Sequence, residues 1–211
     1  MKIIGLTGGI GAGKTAVMQA FAGFGIPAVD TDQLAHQLSE PGSTVMASVF
    51  ESFGAEALTE TGALNRPWMR DKVFSDPEAK QRLEGIFHPA IHDAVMQQLD
   101  AYRQQTESPP YCLLVVPLLF ETGTYLNLID RALVIDCLEE EQVRRVMQRS
   151  QLSEASVRAI MQQQLPRLER LKRADDILDN SQSLADLSAK VNVLHQKYLQ
   201  DGGITGKSHL R

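Results

Sequence analysis

The chain has 211 residues, a formal net charge of −5, 43% hydrophobic and 22% charged residues. That length and balance suit one α/β domain carrying an insertion, with enough apolar material to bury a core unaided. An acidic surface gathers no phosphates, which argues against general nucleic-acid binding, and the longest apolar run, 111–120, is too short for a membrane span of about 18 residues.

Residues 2–7 (KIIGLT) read as a short apolar strand, and 8–15 (GGIGAGKT) follow it directly. Gly8, four residues, then Gly13-Lys14-Thr15 is the phosphate-binding P-loop pattern. Val17, Ala20, Phe21 and Phe24 then line one face of a helix that Gly25 stops. In a strand–loop–helix of this kind, backbone N–H groups converge on phosphate oxygens and the helix N-terminus adds partial positive charge. Lys14 is placed for the β- and γ-phosphates, and the Thr15 hydroxyl for the magnesium ion that travels with them.

The second apolar stretch, 26–30 (IPAVD), contains Pro27, which donates no ladder hydrogen bond and so predicts an edge strand. Asp30 and Asp32 leave its carboxyl end, where ligands of open parallel sheets gather. Asp32 has two readings: a carboxylate that orients an acceptor hydroxyl and takes its proton, or the N-cap of the helix holding Leu34, Ala35 and Leu38. Residues 43–105 read as a helical insertion on the substrate side. Within it Ser75 and Glu78 form a capping box with Pro77 in the first turn, and Pro89 is expected to interrupt or restart a helix at His88.

Strands are expected at 111–119, 131–137 and 175–179, separated by helical patterns as in a parallel sheet with crossover helices. Cys112 and Cys137 lie beside or inside apolar runs, which points to buried reduced thiols and a cytoplasmic protein. Between Arg144 and Arg173 there are eight Arg/Lys and two Glu, a local +6 that leaves −11 on the rest of the chain. A basic helical excursion beside a P-loop suits a phosphoryl-transfer lid, with Arg145 and Arg149 on one face and Arg167 and Arg170 as a second pair, although a merely solvated face has the same charge. A last helix over 183–199 carries Leu184, Leu187, Val191, Leu194 and Tyr198 as a core-facing stripe, and the tail from 201 to 211 is expected to be flexible.

The blocks GLTGGIGAGKT, VDTD, LEGIFHPAI, VVPLLFE, QVRRVMQR and ADDILDN, in this order and spacing from Ile4 to about His195, resemble the dephospho-CoA kinase family. The resemblance implies ATP-dependent phosphorylation of the ribose 3′-hydroxyl of dephospho-CoA, giving CoA and ADP in the last step of coenzyme A synthesis. It implies a P-loop kinase fold: a parallel five-stranded sheet of order 2-3-1-4-5 flanked by helices, a helical CoA domain over 43–105 and a lid over 139–173. The core is then about 1–42, 106–138 and 174–200. Carried over position by position, Gly8, Gly9, Gly11, Ala12, Gly13, Lys14, Thr15 and Ala16 match ATP phosphate contacts, and Asn180 matches a position near adenine. Asp32 matches the acceptor-side base; Thr7, Arg66, His88, Pro89 and Glu121 match positions near the CoA substrate; Arg145 and Arg149 match lid arginines. Taken as loop, break, cap or strand-end residues, Arg66, His88, Glu121 and Asn180 also have structural readings. Ser181-Gln182 replace a glycine common after Asn180, and Thr31 replaces a common alanine.

The implied partners are ATP with Mg2+ and dephospho-CoA, with no nucleic acid and no membrane; the sequence leaves the oligomeric state open, with a monomer favoured. Kinases of shikimate, gluconate or nucleoside monophosphates share the loop but not the HPAI or PLLFE blocks. A nucleotide-sensing switch that holds ATP without transferring it would not respond to an acceptor. An RNA-binding reading of 144–173 lacks the aromatic residues that stack on bases.

Overall fold

A computed structural model describes residues 1–200 and 208–210 and divides the chain into two compact units, 1–29 with 105–211, and 30–104. The strands, all in the first unit except the last residue of β2, are β1 (Lys2–Gly8), β2 (Ala28–Asp30), β3 (Tyr111–Val115), β4 (Arg131–Asp136), β5 (Asp176–Asp179) and β6 (Ser208–Leu210), in the order β2-β3-β1-β4-β5-β6. The first five follow the expected order 2-3-1-4-5. β2 lies at the edge, as Pro27 requires, and Pro27 still contributes its carbonyl, which accepts from Leu113 N–H at 3.0 Å. β1 sits between β3 and β4, parallel to both, and is buried from Ile3 to Gly8, so an unbroken apolar run rather than an alternating one encodes it.

β6 corrects the expectation of a flexible tail for three residues: Ser208–Leu210 pair parallel to β5, with Ile177 opposite His209. The outer edge of β5 offers unpaired N–H and C=O groups, and a three-residue Ser-His-Leu segment carries too little pattern to announce that it takes them. Residues 201–207 and 211 of that tail lie outside the described residues.

Helices α1 (Lys14–Ala22) and α10 (Leu184–Gln200) pack together beside the sheet. Leu187, Val191, Leu194 and Tyr198 of α10 are buried with Val17 and Phe21 of α1 and with Ile4, Leu6, Leu133 and Leu178 of the strands. Phe21 meets Tyr111 edge-on at 6.2 Å between ring centres. The side chain of Leu184, named in the expected stripe, lies outside the description. Both cysteines are buried thiols outside any disulfide, as their apolar surroundings predict.

At the start of β5, Asp176 is fully buried and accepts from Arg131 Nε (2.8 Å), Lys197 Nζ (2.7 Å) and the Tyr198 hydroxyl (3.0 Å). Burial opposes its charge, but the hydrogen bonds from Arg131 and Lys197 prevail and hold the carboxyl below its usual range. A lowered folded value means that the stabilisation is complete above the unfolded value near about 4 and fades as pH falls through the folded one. Asp176→Asn should therefore cost about 3 kcal/mol at pH 7, with the deficit shrinking in urea titrations repeated near pH 3. A deficit independent of pH would contradict the charge argument.

In the second unit, Asp30 caps α2 (Thr31–Leu38) by accepting from Asp32 N–H (2.9 Å) and Gln33 N–H (3.3 Å). α3 (Thr44–Phe53) is capped by Ser43 and runs into a 3-10 turn at Ala55–Ala57. α4 (Arg66–Ser75) and α5 (Pro77–Arg103) complete the unit. Val45, Met46, Val49, Ala57 and Met69 form its buried core, with Leu83, Ile86 and Phe87 of α5 against them. α2 packs on α5, so this unit begins at Asp30 rather than at 43.

Two local expectations fail here. Asp76, not Ser75, caps α5: it accepts from Ala79 N–H at 3.0 Å, while the Ser75 hydroxyl bonds back to the carbonyls of Asp71 and Lys72 as the last residue of α4. The two candidate caps are adjacent, and the one whose backbone is already extended takes the role. Nor does Pro89 end a helix, since α5 runs 27 residues through it. Proline in a helix interior costs about 3 kcal/mol. Apolar residues flanking it on both sides, Ile86 and Phe87 before and Ala90 after, all pack on the unit's core, and that packing outweighs the lost hydrogen bond.

Candidate active site

The glycine loop leaves the buried end of β1 and enters α1 at Lys14. No side chain caps α1; its N-cap is Gly13, left-handed at φ 98°. A Cβ there would lie 2.1 Å from Asn180 Nδ2, so glycine is required for both backbone and space. Ala12 N–H bonds to Gly9 C=O at 3.1 Å and tightens the turn. Lys14 Nζ donates to Gly8 C=O (2.7 Å) and Gly9 C=O (3.3 Å), which lays the ammonium across the mouth of the loop. Thr15 follows, exposed, in the first turn of α1.

Three distant segments brace this loop. Asn180, just after β5, is buried and donates its amide to Ala12 C=O at 2.8 Å. Gln164 accepts from Ile10 N–H at 2.9 Å. Gln142 is buried beside Gly9 and donates to Cys137 C=O at 2.7 Å.

The basic excursion forms α7 (Glu139–Ser150), α8 (Glu154–Gln162) and α9 (Arg167–Arg173). Val143, Val146 and Val157 bury the contact between α7 and α8, with Ile10 of the loop packed against them. Arg145 and Arg149 share a cavity of about 280 Å³ with Gly11, Gly13, Lys14 and Thr15, so the structure unites the two arginines with the loop. Arg145 is fixed there by Glu141 (2.8 Å) and by Asn180 C=O (2.9 Å). Hydrogen bonds from Arg144 and Arg145 hold the Glu141 carboxyl down to about 2. Arg149 is exposed and touches Ser150. Arg167 makes a two-pronged bond to Asp136, 2.7 Å on each arm.

Thr7 is buried, its hydroxyl donating to Pro117 C=O at 3.2 Å. Glu121 lies in the short helix α6 (Leu119–Thr122); its Oε1 accepts from Leu165 N–H at 2.7 Å, which makes it a brace between segments rather than the cap of its own helix. Asn180 is likewise more than a strand end, since it holds the loop. In the other unit, Asp32 is exposed in the first turn of α2. Asp30 makes the cap, so the capping alternative for Asp32 falls. Arg66 opens α4 and reaches the Ser39 hydroxyl; His88 and Pro89 are exposed along α5.

The loop fits a polyphosphate: an uncapped helix start, a glycine backbone without room for side chains, one ammonium and two guanidinium groups converge. Among the described residues no three of His, Cys, Asp or Glu converge as a metal cage. The Thr15 hydroxyl suits an ion that keeps most of its oxygen ligands from phosphate and water.

The dephospho-CoA kinase family model matches residues 2–186. The chain belongs to the dephospho-CoA kinase family. Relatives named dephospho-CoA kinase include that of Chromobacterium violaceum, 51% identical over 94% of this chain and 95% of its own, and that of Nitrosospira multiformis, 44% identical over 94% and 97%. Among solved structures, the dephospho-CoA kinase from Campylobacter jejuni is 27% identical with a TM-score of 0.71, covering 96% of this chain and all of its own. A Thermus thermophilus crystal structure is 35% identical with a TM-score of 0.79 over 93% and 97%. A shikimate kinase from Bacteroides thetaiotaomicron, 15% identical at a TM-score of 0.51, shares the fold. As a member of the dephospho-CoA kinase family the chain is a kinase, an enzyme of coenzyme A synthesis.

Proposed function

We propose that this dephospho-CoA kinase transfers the γ-phosphoryl of ATP to the ribose 3′-hydroxyl of dephospho-CoA, with the residue roles that follow. The observation that carries the reading is the single cavity shared by Gly13, Lys14, Thr15, Arg145 and Arg149. The backbone from Gly8 to Ala16 holds the phosphates, and Lys14 meets the β- and γ-oxygens. Asp32 orients the 3′-hydroxyl and takes its proton as the new P–O bond forms and the bond to the β-phosphate oxygen breaks, leaving ADP. The Thr15 hydroxyl is the group of this chain that would hold a Mg2+ ion arriving with the nucleotide, and the ion would offset phosphate charge there. Arg66, His88 and Pro89 are assigned to the CoA side, and Thr7 and Glu121 shape the region next to the loop. The cytoplasm, where the two buried thiols stay reduced, is the compartment this reading assigns.

The test is ADP release with and without dephospho-CoA. Turnover should rise steeply with the acceptor; ATP hydrolysis indifferent to it would favour a nucleotide sensor instead.

Arg145 has two of its nitrogens engaged by Glu141 and Asn180, and Nη1 lies 3.7 Å from the Cβ position of Gly13. A guanidinium already immobilised beside the phosphates loses little entropy in the transition state. Arg145→Ala should lower kcat about 100-fold while the KM for ATP changes less than tenfold. An unaltered kcat would return Arg145 to the solvated face of α7.

A further inference from the structure

Arg170 differs from every other arginine around the loop. It keeps only 7% of its surface exposed, and among the described residues no carboxylate pairs with it. Arg167, three residues earlier, is neutralised by Asp136, and Arg145 by Glu141. A buried cation without a counter-ion is costly, and natural cores avoid it. Burial accordingly lowers the proton affinity of Arg170, although Glu121, Asp136 and Glu139, none of them bonded to it, act at longer range to raise it.

The fold nevertheless holds this side chain in place. Its Nη1 donates to Leu165 C=O, and the N–H of that same residue is held by Glu121 Oε1 at 2.7 Å. The neighbouring Gln164 is tied to Ile10 of the loop. Arg170 Nη2 lies 2.9 Å from where a Cβ of Gly9 would stand, so the guanidinium rests against the glycine loop itself. Gln142 Oε1 crowds the same point at 2.4 Å, and both it and Glu121 Oε2 are buried acceptors without a hydrogen-bond partner among the described residues. Beside them opens a cavity of about 380 Å³ whose lining includes Arg158, Gln164, Arg167 and Arg170 together with one carboxylate, that of Glu139. A guanidinium bonded only to a backbone carbonyl, bonded to no carboxylate and set beside the glycine loop has donors left for an anion.

We propose that Arg170 is a further catalytic residue: it contacts the terminal phosphoryl of the bound nucleoside triphosphate, and Glu121 positions it through the Leu165 peptide. This rests on the phosphoryl-transfer reading above. It assigns Glu121 a role within the nucleotide half of the site.

The test compares the full-length wild type with Arg170→Met and Arg170→Lys by calorimetry with Mg·ATP, Mg·ADP and dephospho-CoA separately, by kcat, and by thermal melting. Arg170→Met should bind ATP at least about tenfold more weakly, keep ADP affinity within about threefold, lose about 100-fold in kcat and melt no lower than wild type, since it removes a buried charge that no carboxylate bonds. Arg170→Lys should recover part of the ATP preference. Glu121→Gln, which keeps an acceptor for Leu165 N–H, should stay nearer to wild type in kcat than Glu121→Ala. Equal loss of ATP and ADP affinity with a lowered melting temperature would make Arg170 structural and overturn the proposal. Weakened dephospho-CoA binding alone would place the anion on the acceptor and overturn it as well. The ATP-to-ADP comparison needs no turnover, so it reads the contact of Arg170 with the terminal phosphoryl even if the assigned reaction fails, whereas missing acceptor-dependent ADP release strikes the reaction and the catalytic role and leaves only that contact standing.

Discussion

Lys14→Ala is expected to reduce phosphoryl transfer at least about 1000-fold while the protein stays folded. In the structure the ammonium lies against the carbonyls of Gly8 and Gly9, at the mouth of the loop and in the cavity shared with Arg145 and Arg149. A triphosphate entering there presents its terminal oxygens to this group, and the charge on those oxygens grows as the bond to ADP breaks. Removing the lysine thus removes both a binding contact and a transition-state one. The two guanidinium groups sit on α7, not within the loop, and cannot occupy the same position. Folding is checked by a melting temperature within a few degrees of wild type. Retained turnover in a folded Lys14→Ala protein would sink the assignment of this loop to the transferring phosphates.

Asp32→Asn carries the second large effect, a fall in kcat of at least about 100-fold with ATP affinity unchanged. The variant keeps the shape of the side chain and removes its ability to accept a proton. The helix should tolerate it, because the capping carboxylate of α2 belongs to Asp30 and the bond from the Asp32 N–H to Asp30 survives the change. The capping role in particular is not open to Asp32, because Asp30 already fills it. Calorimetry with Mg·ATP separates the remaining possibilities. A loss of nucleotide affinity in Asp32→Asn would place this carboxylate on the metal ion rather than on the acceptor hydroxyl.

The loop was legible in the sequence because its chemistry is local. Strand, glycines, lysine and helix start are consecutive, and the backbone N–H groups that face a phosphate need only their immediate neighbours to be arranged. The edge position of β2 followed from one residue, since proline lacks a donor wherever it sits. Arg145 and Arg149 were legible as a pair from their spacing, and the structure adds what they face. The braces were not. Gln142 and Gln164 are unremarkable polar residues in helical surroundings, and Arg170 looks in sequence like one more charge in a basic stretch. Their bonds to the loop or contacts with it depend on which segment folds beside which, and hydrophobic periodicity carries no such information.

The sequence by itself determined the parallel α/β architecture with its phosphate loop and the family that shares its motif blocks, because periodicity and contiguous chemistry survive without knowledge of distant neighbours. Only the tertiary structure decided that α5 runs through Pro89, that Asp30 and Asp76 rather than Asp32 and Ser75 cap their helices, that a sixth strand adds to β5, and that Asn180 holds Ala12 across 168 positions. In each case neighbouring alternatives differ by about 1 to 3 kcal/mol, and contacts from elsewhere in the chain settle a balance that close.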